Sequence, residues 1–235
     1  MSAGTLYLIP VPLGPVSPEA CLPPETLAVT RRLEHFVVER AKTARAHLKA
    51  MGHPQPLQLL HLEELNEHTS AAAIPLLLAP LKAGHDIGLL SEAGCPAVAD
   101  PGAALVLAAH REDITVVPLI GPSSILLALM ASGLGGQRFA FHGYLPAREP
   151  ERSQKIRELE KTARKEKATQ LFIETPYRSA ALLDALATTL APETWVSVGA
   201  DLSLPSELIQ TGRARDWKGR TDRVKDRLVV FGIAA

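Results

Sequence analysis

The feature that most constrains the fold of this chain is a regular alternation of short apolar runs with helical stretches in its first half. Runs rich in leucine, isoleucine and valine predict strands, and the stretches between them have the composition of helices. The predicted strands are Leu6–Ile9, Phe36–Glu39, Leu57–Leu62, Ile87–Ser91 and Ile114–Pro118, and the predicted helices are Lys42–Met51, Ser70–Leu81 and Ala103–Arg111. This alternation predicts a largely parallel sheet with helices on both faces. Such sheets bind ligands at the carboxyl ends of their strands.

The second half of the chain has a different order of predicted elements, because its last strands follow one another without a helix between them. The predicted elements are the strand Arg138–His142, the charged helix Glu149–Lys167, the strand Gln170–Glu174, the helix Arg178–Leu190, and the strands Trp195–Ala200, Leu208–Gly212 and Leu228–Ile233. Consecutive strands of this kind predict an antiparallel or mixed sheet. We therefore expect an α/β fold with two domains: an N-terminal domain at 1–119 with a mainly parallel sheet, and a C-terminal domain at 120–235 with a mixed sheet.

Charge and cysteine content argue against several classes of protein. Lys and Arg together number 25, as do Asp and Glu, so the chain has no excess charge for gripping nucleic acid by bulk electrostatics. A local basic face remains compatible with this balance. The two cysteines, Cys21 and Cys95, lie far apart, and none of the eight histidines stands at metal-site spacing. We expect neither a disulfide scaffold nor a bound metal.

The chain also lacks signals for export or membrane insertion. The N-terminus, Met1–Thr5, has no basic residues ahead of an apolar stretch, so no signal peptide is expected. The apolar run Ile74–Leu81 contains Pro75 and Pro80 and is too short to span a bilayer. A cytoplasmic protein without membrane association is the resulting expectation.

The most informative loop is Ser91–Gly102, which leaves a predicted buried strand and enters a predicted helix. It holds two glycines and two prolines, which allow close backbone approach to a ligand and hold the shape of the loop. Asp100 fits a helix N-cap, and Pro101 fits the first helical turn. An ordinary strand-to-helix turn remains an equal alternative to a ligand loop.

A second loop, Leu119–Ser124, runs into the apolar helix Ile125–Ser132. Pro122 suits a first helical turn, and the hydroxyls of Ser123 and Ser124 stand beside free helix N–H groups. Such a position can hold a carboxylate or a ribose. A capped, buried helix at a domain joint is equally consistent with the pattern.

The third candidate is the strand end Phe172–Arg178, which combines a carboxylate, a hydroxyl and a guanidinium. Glu174 at the carboxyl end of a strand is a candidate general base, and Arg178 is a candidate for steering a phosphate. The alternative is that Glu174 caps the helix that follows Pro176. The charged helix before this strand predicts a solvated face, with a nucleic-acid contact as the less favoured alternative.

Taken in order, these loops resemble the tetrapyrrole methylase family of S-adenosylmethionine-dependent methyltransferases. The matching segments are Leu6–Gly14, Ser91–Gly102, Gly121–Ser124, Phe141–Pro146 and Glu174–Arg178, which cover nearly the whole chain. The resemblance implies two α/β domains, S-adenosylmethionine held in the cleft between them, and a homodimer.

Within the family, the chain is similar to the branch that methylates a ribose 2′-hydroxyl of small-subunit ribosomal RNA. Pro10–Gly14 follows the P-x-P-x-G form of that branch rather than the glycine-rich G-x-G-P-G-D turn of the porphyrin branch. Three departures bear on the RNA substrate. Glu92 stands where the branch usually has aspartate, and Glu39-Arg40-Ala41-Lys42 replaces its E-D-T-R stretch. The chain is also expected to end at its last strand, without the C-terminal extension of many ribosomal members.

The resemblance further implies roles for individual residues. The donor is assigned to Ser91, Gly94, Cys95, Pro96 and Asp100 of the first domain and to Ser123, Ser124, Ile173, Thr175 and Pro176 of the second. Cys95 is then a contact residue rather than a nucleophile. Glu174 is the first candidate for the catalytic base and Glu92 the second, while Tyr177 and Arg178 are expected to orient the acceptor.

Two other functions share these features. A C-methyltransferase acting on a tetrapyrrole or another small molecule would have the same fold and donor. A non-catalytic module that binds S-adenosylmethionine would keep the donor loops and lose the acceptor side. The joint presence of Glu174, Tyr177 and Arg178 argues against the second of these alternatives.

Overall fold

The computed structural model of the chain describes residues 3–235, apart from the side chain of Ala71. The fold divides into two compact units, Met1–Ser123 and Ser124–Ala235. The expectation about a signal peptide falls partly on Met1 and Ser2, which lie outside the described residues. Within the described range, no helix is both long and apolar enough to cross a membrane. The domain limits predicted from the sequence stay a prediction.

Five parallel strands form the sheet of the first unit, in the order β3-β2-β4-β1-β5. They are β1 (Leu6–Ile9), β2 (His35–Val38), β3 (His61–Glu64), β4 (Ile87–Leu90) and β5 (Val116–Pro118). Every neighbouring pair is parallel, so all five carboxyl ends lie at one edge of the sheet. Ile9 pairs with Leu90, and therefore the loops after β1 and β4 start side by side.

Helices cover both faces of this sheet, as the alternating pattern predicts. They are α1 (Pro24–Arg32), α2 (Ala41–Ala50), α3 (Ile74–Leu77), α4 (Ala79–Lys82) and α5 (Ala103–Arg111). One face buries Phe36 and Val38 of β2 with Leu27 of α1 and Leu48 of α2. The other face buries Val37 and Leu89 with residues of α3, α4 and α5, namely Leu77, Leu81 and Leu105.

The first unit departs from the sequence predictions at three elements. Helix α1 was not predicted, because the prolines around it indicate a loop, whereas Pro24 occupies the first helical turn, where its missing N–H costs nothing. The helix predicted at Ser70–Leu81 is broken into a 3-10 turn and two short helices by Pro75 and Pro80. The third strand begins at His61 rather than Leu57. It lies at the edge of the sheet, where it pairs only with β2 and is mostly exposed, so it does not coincide with the apolar run that predicted it.

The second unit contains a mixed sheet with the strand order β6-β7-β10-β8-β9. Its strands are β6 (Phe139–Tyr144), β7 (Thr169–Glu174), β8 (Trp195–Ala200), β9 (Leu208–Arg213) and β10 (Val229–Ala234). Strands β6 and β7 are parallel, and the remaining pairs are antiparallel. The predictions of an α/β fold and of one parallel and one mixed sheet are confirmed.

Three helices pack on this second sheet: α6 (Ser124–Ser132), α7 (Glu151–Glu166) and α8 (Pro176–Thr189). The larger core joins Phe172 and Phe231 of the sheet to Ile156 of α7 and Leu182 of α8. On the opposite face, Ile125 and Leu129 of α6 pack against Leu171. The carboxyl end of β7 and the start of α8 therefore rest on a fully buried frame.

Candidate functional site

Three loops of the first unit are joined at the carboxyl ends of β1, β4 and β5. Val11 after β1 and Gly94 after β4 exchange two backbone hydrogen bonds of 2.9 and 3.1 Å. The Cys95 thiol after β4 donates to the carbonyl of Pro122 after β5, with 3.4 Å between sulfur and oxygen. These contacts make one continuous loop surface from segments that are far apart in sequence.

Two glycines permit this close approach of the loops. A Cβ on Gly121 would lie 2.3 Å from Cγ of Pro10, so no side chain fits there. Gly94 has a φ of +72°, which an L side chain rarely adopts, and its Cβ would lie 3.1 Å from Leu13. The absence of side chains at these two positions lets the backbones of the three loops pack against one another.

The loop between β4 and α5 is held in a strained conformation. The hydroxyl of buried Ser91 donates to the carbonyl of Gly94 at 2.7 Å, and this bond closes the first turn of the loop. Ala97 and Ala99 have φ values of +64° and +61°, although neither is a glycine. Such backbone costs on the order of 1–3 kcal/mol per residue and is concentrated at functional sites.

Asp100 does not cap the following helix, contrary to the sequence prediction. Helix α5 starts at Ala103 with Gly102 as its N-cap, so Asp100 and Pro101 lie before its first turn. The Oδ2 atom of Asp100 is buried and has no hydrogen-bond partner among the described residues. Burial raises the pKa of Asp100 to about 6, and the charges of Glu39 and Glu92 act in the same direction.

Glu39 is a member of this site that sequence reasoning did not single out as a candidate. It directly follows β2, and its pKa is raised by burial first, then by the charge of Glu92. Glu39, Glu92 and Asp100 therefore form an acidic group at the carboxyl edge of the sheet. Their positions after β2 and β4, which pair in parallel, are the signal that predicts this grouping.

The environment of Cys95 does not favour a nucleophilic role. Burial raises the pKa of this thiol, and the charge of Asp100 raises it further. A thiol with a raised pKa stays protonated at neutral pH, whereas a nucleophilic cysteine needs a lowered pKa. Pro96, the next residue of the loop, is buried.

A cavity of about 260 Å³ opens in the first unit beside the turn that contains Glu92. It is lined by the loop after β1, from Pro12 to Val16, and by His47 of α2. The His47 ring nitrogen Nε2 lies 3.1 Å from the carbonyl oxygen of Glu92 and fixes that turn against the helix. Glu92 is thus the predicted catalytic residue that borders a cavity of this unit.

Ser123 and Ser124 lie at the limit between the two units, which falls between these two residues. Helix α6 begins at Ser124, so Pro122 precedes the helix instead of forming its first turn as predicted. Ser124 is therefore the residue at the N-terminus of an apolar helix, where backbone N–H groups favour polar or anionic groups.

In the second unit, Glu174 is the last residue of β7, and its side chain is only 3% exposed. Its Oε1 atom accepts hydrogen bonds from the Thr175 backbone N–H at 2.7 Å and from Nε and Nη2 of Arg178 at 2.9 and 2.6 Å. The Thr175 hydroxyl lies 3.2 Å from the same oxygen. The side chain of the N-cap residue Thr175 makes no capping bond to α8, whereas Glu174 binds the N–H of Thr175, so a capping role of Glu174 at the start of this helix stays a prediction.

The neighbours of Glu174 complete this end of the strand. Thr175 is the N-cap residue of α8, and Pro176 is its first residue. Ile173 pairs with Val230 of β10. Tyr177 is 77% exposed, and the Arg178 guanidinium lies 5.8 Å from the centre of its ring. An aromatic face and a guanidinium thus stand beside a buried carboxylate.

The described part of the chain contains no group of three or more His, Cys, Asp or Glu side chains arranged to hold a metal ion. The residues at these loops and at the end of β7 offer carboxylates, hydroxyls, one guanidinium and backbone groups. Such groups can bind a polar ligand, orient an acceptor and take up a proton.

Comparison with known families identifies the chain's relatives. The family model described as Tetrapyrrole (Corrin/Porphyrin) Methylases matches residues 6–217. A protein of Mesorhizobium japonicum named ribosomal RNA small subunit methyltransferase I is 34% identical over 228 residues, covering 96% of this chain and 74% of its own. The protein of the same name from Escherichia coli O157:H7 is 31% identical over 234 residues, covering 98% of this chain and 78% of its own.

Solved structures show the same fold at lower sequence identity. A diphthine synthase has a TM-score of 0.69 at 18% identity and covers 98% of this chain and 90% of its own. The methyltransferase CobJ has a TM-score of 0.63 at 20% identity and covers 99% and 94%, respectively. At these identities the likeness concerns the fold alone.

Proposed function

This chain belongs to the tetrapyrrole methylase family, and we propose that it methylates the 2′-hydroxyl of a ribose in small-subunit ribosomal RNA. It is an S-adenosylmethionine-dependent methyltransferase. The observation that carries the RNA substrate is the identity of 34% over 96% of the chain to a protein named for ribosomal RNA methylation. The sequence likeness to ribosomal RNA enzymes favours RNA over a tetrapyrrole as the acceptor.

The loops of the first unit fit the donor. S-adenosylmethionine supplies a methyl group already activated by its sulfonium. The buried Oδ2 atom of Asp100 has no hydrogen-bond partner among the described residues. The amino group or the ribose hydroxyls of S-adenosylmethionine can donate a hydrogen bond to it. Gly94 and Gly121 keep the surrounding backbone bare of side chains. We propose that the donor contacts Ser91, Gly94, Cys95, Pro96 and Asp100, together with Ser123, Ser124, Ile173, Thr175 and Pro176.

The charge of the first unit supports the same assignment. The donor carries a sulfonium cation, and Glu39 and Glu92 stand beside Asp100 at the edge of the sheet. Carboxylates near a cation favour its binding, because the attraction offsets the mutual repulsion of the acidic groups. Glu39 is thus a proposed addition to the donor-binding residues that the resemblance implies.

We propose Glu174 as the group that receives the proton of the acceptor hydroxyl. The four hydrogen bonds of its carboxylate all end on Oε1, so Oε2 is the atom available for this task. Arg178 holds the carboxylate in one orientation through a two-bonded ion pair. Tyr177 offers an exposed ring on which a base of the acceptor can stack. Glu92 is the second candidate for the base.

A homodimer in the cytoplasm is part of the same proposal. The family resemblance supports the dimer, and a ribosomal RNA substrate supports a cytoplasmic location. Size-exclusion chromatography with light scattering measures the mass directly, and a mass of 25.2 kDa would contradict the dimer.

Methyl transfer to ribosomal RNA is the decisive experiment. The purified protein is incubated with labelled S-adenosylmethionine and small-subunit RNA from a strain that lacks the protein, and the RNA nucleosides are then analysed by mass spectrometry. We expect one new nucleoside with the methyl group on its ribose. A methyl group on a base would contradict the 2′-hydroxyl, and transfer only to a tetrapyrrole would contradict the RNA substrate.

A further inference from the structure

The connection from β9 to β10 is an unusually basic part of the second unit. Residues 213–227, which we name the basic segment, hold seven Lys and Arg against three Asp. Two 3-10 turns, Ala214–Trp217 and Thr221–Arg223, give the segment its shape. No motif of the donor site or of the acceptor side includes these residues, so their function is open.

Four of the seven cations are already engaged within the protein. The Arg213 guanidinium stacks on the Trp195 ring at 3.6 Å, and Arg215 forms an ion pair with Glu193. The two remaining engaged groups are Arg223, which donates to Gln210 at 2.6 Å, and Arg227, which donates to Asp201 at 2.7 Å. These four side chains are held by contacts within the protein.

Lys218, Arg220 and Lys225 differ from these four. All three are exposed, and among the residues that the structure describes none of them has an acidic partner within 4.0 Å. These three charges lie within eight residues of the chain and are open to an anionic ligand.

The backbone that presents these cations is fixed to the core. Ala214, Trp217 and Val224 are fully buried and pack with residues of α8 in the main core of the unit. The Trp217 indole also donates to the carbonyl of Val196 at 3.3 Å. The three cations therefore stand on a rigid frame, which reduces the entropy lost when they bind a ligand.

The basic segment also lies beside the proposed acceptor site. The Ser179 hydroxyl of α8 donates to the carbonyl of Val224, one residue before Lys225. The strand that follows the segment begins with Val229, which pairs with Glu174. The segment is thus bonded to the same strand end and helix start that carry Glu174, Tyr177 and Arg178.

We propose that Lys218, Arg220 and Lys225 bind backbone phosphates of the RNA acceptor next to the methylated ribose. This inference rests on the proposed function, which makes RNA the acceptor. Phosphates are regularly spaced anions, and exposed lysine and arginine side chains are the groups that neutralise them in nucleic-acid complexes. The second unit as a whole has the matching sign, since residues 124–235 contain 17 Lys and Arg against 13 Asp and Glu.

A charge-matched control lies on helix α7. Arg157, Lys161 and Lys165 form an exposed stripe at intervals of four residues and, like the three cations of the segment, comprise two lysines and one arginine. The stripe shares its helix with four glutamates, whose charges offset it. A nucleic-acid contact on this helix is the less favoured alternative from the sequence. The two surfaces are therefore the two candidates for RNA binding that the experiment compares.

The test compares two triple variants of the full chain. The segment variant carries Lys218→Gln, Arg220→Gln and Lys225→Gln. The α7 variant carries Arg157→Gln, Lys161→Gln and Lys165→Gln. The KM for small-subunit RNA, the kcat and the affinity for S-adenosylmethionine are measured across a range of salt concentrations. We expect the first variant to raise the KM for RNA about tenfold and to lower the salt slope of log KM by about 2, at unchanged donor affinity. The α7 variant should match the wild type.

The outcomes separate this inference from the proposed function. If the wild type methylates RNA and the segment variant keeps the wild-type KM and salt slope, the inference is wrong and the proposed function stands. If the KM for RNA rises in the α7 variant and not in the segment variant, the phosphate contact lies on helix α7 instead. If the wild type transfers no methyl group to RNA, both this inference and the proposed function are wrong. A circular dichroism melt of each variant excludes misfolding as the cause.

Discussion

Asp100 is a residue whose ionisation is opposed both by burial and by the charges of neighbouring carboxylates. Its pKa of about 6 lies above the 3.8 of an unperturbed aspartate, because the folded loop buries the carboxyl beside two other acids. The folded protein therefore binds this proton more tightly than the unfolded chain does. The unfolding free energy should accordingly fall as pH rises from about 4 to about 6, and the penalty should persist at neutral pH.

Substitution of Asp100 by asparagine tests this balance. At pH 7.5 we expect Asp100→Asn to be more stable than the wild type by on the order of 2 kcal/mol, because the penalty for ionising a buried carboxyl is removed. The difference should shrink as pH falls through 6 and vanish only below pH 3.8, where the carboxyl is protonated in both the folded and the unfolded wild type. Thermal melts across this pH range provide the measurement, with Asp184→Asn on an exposed face of α8 as the control.

The same variant should bind the donor more weakly at pH 7.5, since an ionised carboxylate is lost. Calorimetry with S-adenosylmethionine measures this loss. An Asp100→Asn protein with unchanged donor affinity would show that the buried oxygen serves the loop and not the ligand.

Glu174 is the residue where catalytic and structural roles have to be separated. Glu174→Gln keeps the size of the side chain and removes the basic oxygen, so kcat should fall by at least about a hundredfold if Glu174 receives the proton. Arg178→Gln breaks the same ion pair but leaves the carboxylate in place. It should mainly raise the KM for RNA, because Arg178 is expected to orient the acceptor.

Rates, melting temperatures and donor affinities of both variants decide the matter. If the ion pair is the only role of Glu174, both variants should lose similar stability and keep most of their rate once folded. A Glu174→Gln rate within a fewfold of the wild type would therefore end the catalytic assignment.

At the scale of elements, the loops of the first unit depend on backbone packing. Gly121 touches Pro10 so closely that its Cβ would overlap a proline ring, which has little freedom to move. Overpacking of this kind costs about 1–3 kcal/mol. We therefore expect Gly121→Ala to lower the melting temperature by several degrees and to weaken donor binding, as measured by thermal melts and calorimetry.

Gly136 offers the matched control for this substitution. Its Cβ would lie 3.7 Å from the nearest side-chain atom, which is an ordinary contact, and its φ lies outside the left-handed region. Gly136→Ala should leave both the melting temperature and donor affinity near the wild-type values. Equal effects of the two alanines would contradict the packing argument for the loops.

At the scale of the whole molecule, the net charge is zero, but the two units have net charges of opposite sign. Residues 1–123 hold 8 Lys and Arg against 12 Asp and Glu, whereas residues 124–235 hold 17 against 13. The acidic unit contains the proposed donor residues around Asp100, and the basic unit contains the proposed RNA surface. Under the proposed assignments, the cationic donor and the anionic acceptor would each bind residues of complementary sign.

The sequence by itself determined the fold class, because periodicity and the order of strands and helices are local properties of the chain. Helix Ala103–Arg111 and strand Trp195–Ala200 were predicted to the residue for this reason. It also identified the loops Ser91–Gly102 and Phe172–Arg178 through their glycines, prolines and polar side chains. Helix α1 was missed, since the prolines before it are compatible with both a loop and a first helical turn.

The tertiary structure alone decided which side chains meet and in what electrostatic state. The raised pKa of Asp100 depends on Glu39, which lies 61 residues away in sequence and approaches only because β2 and β4 pair in parallel. The overlap of Gly121 with Pro10 and the bond from Ser179 to Val224 likewise join distant segments. Burial and long-range contact are properties of the folded packing, and local composition does not contain them.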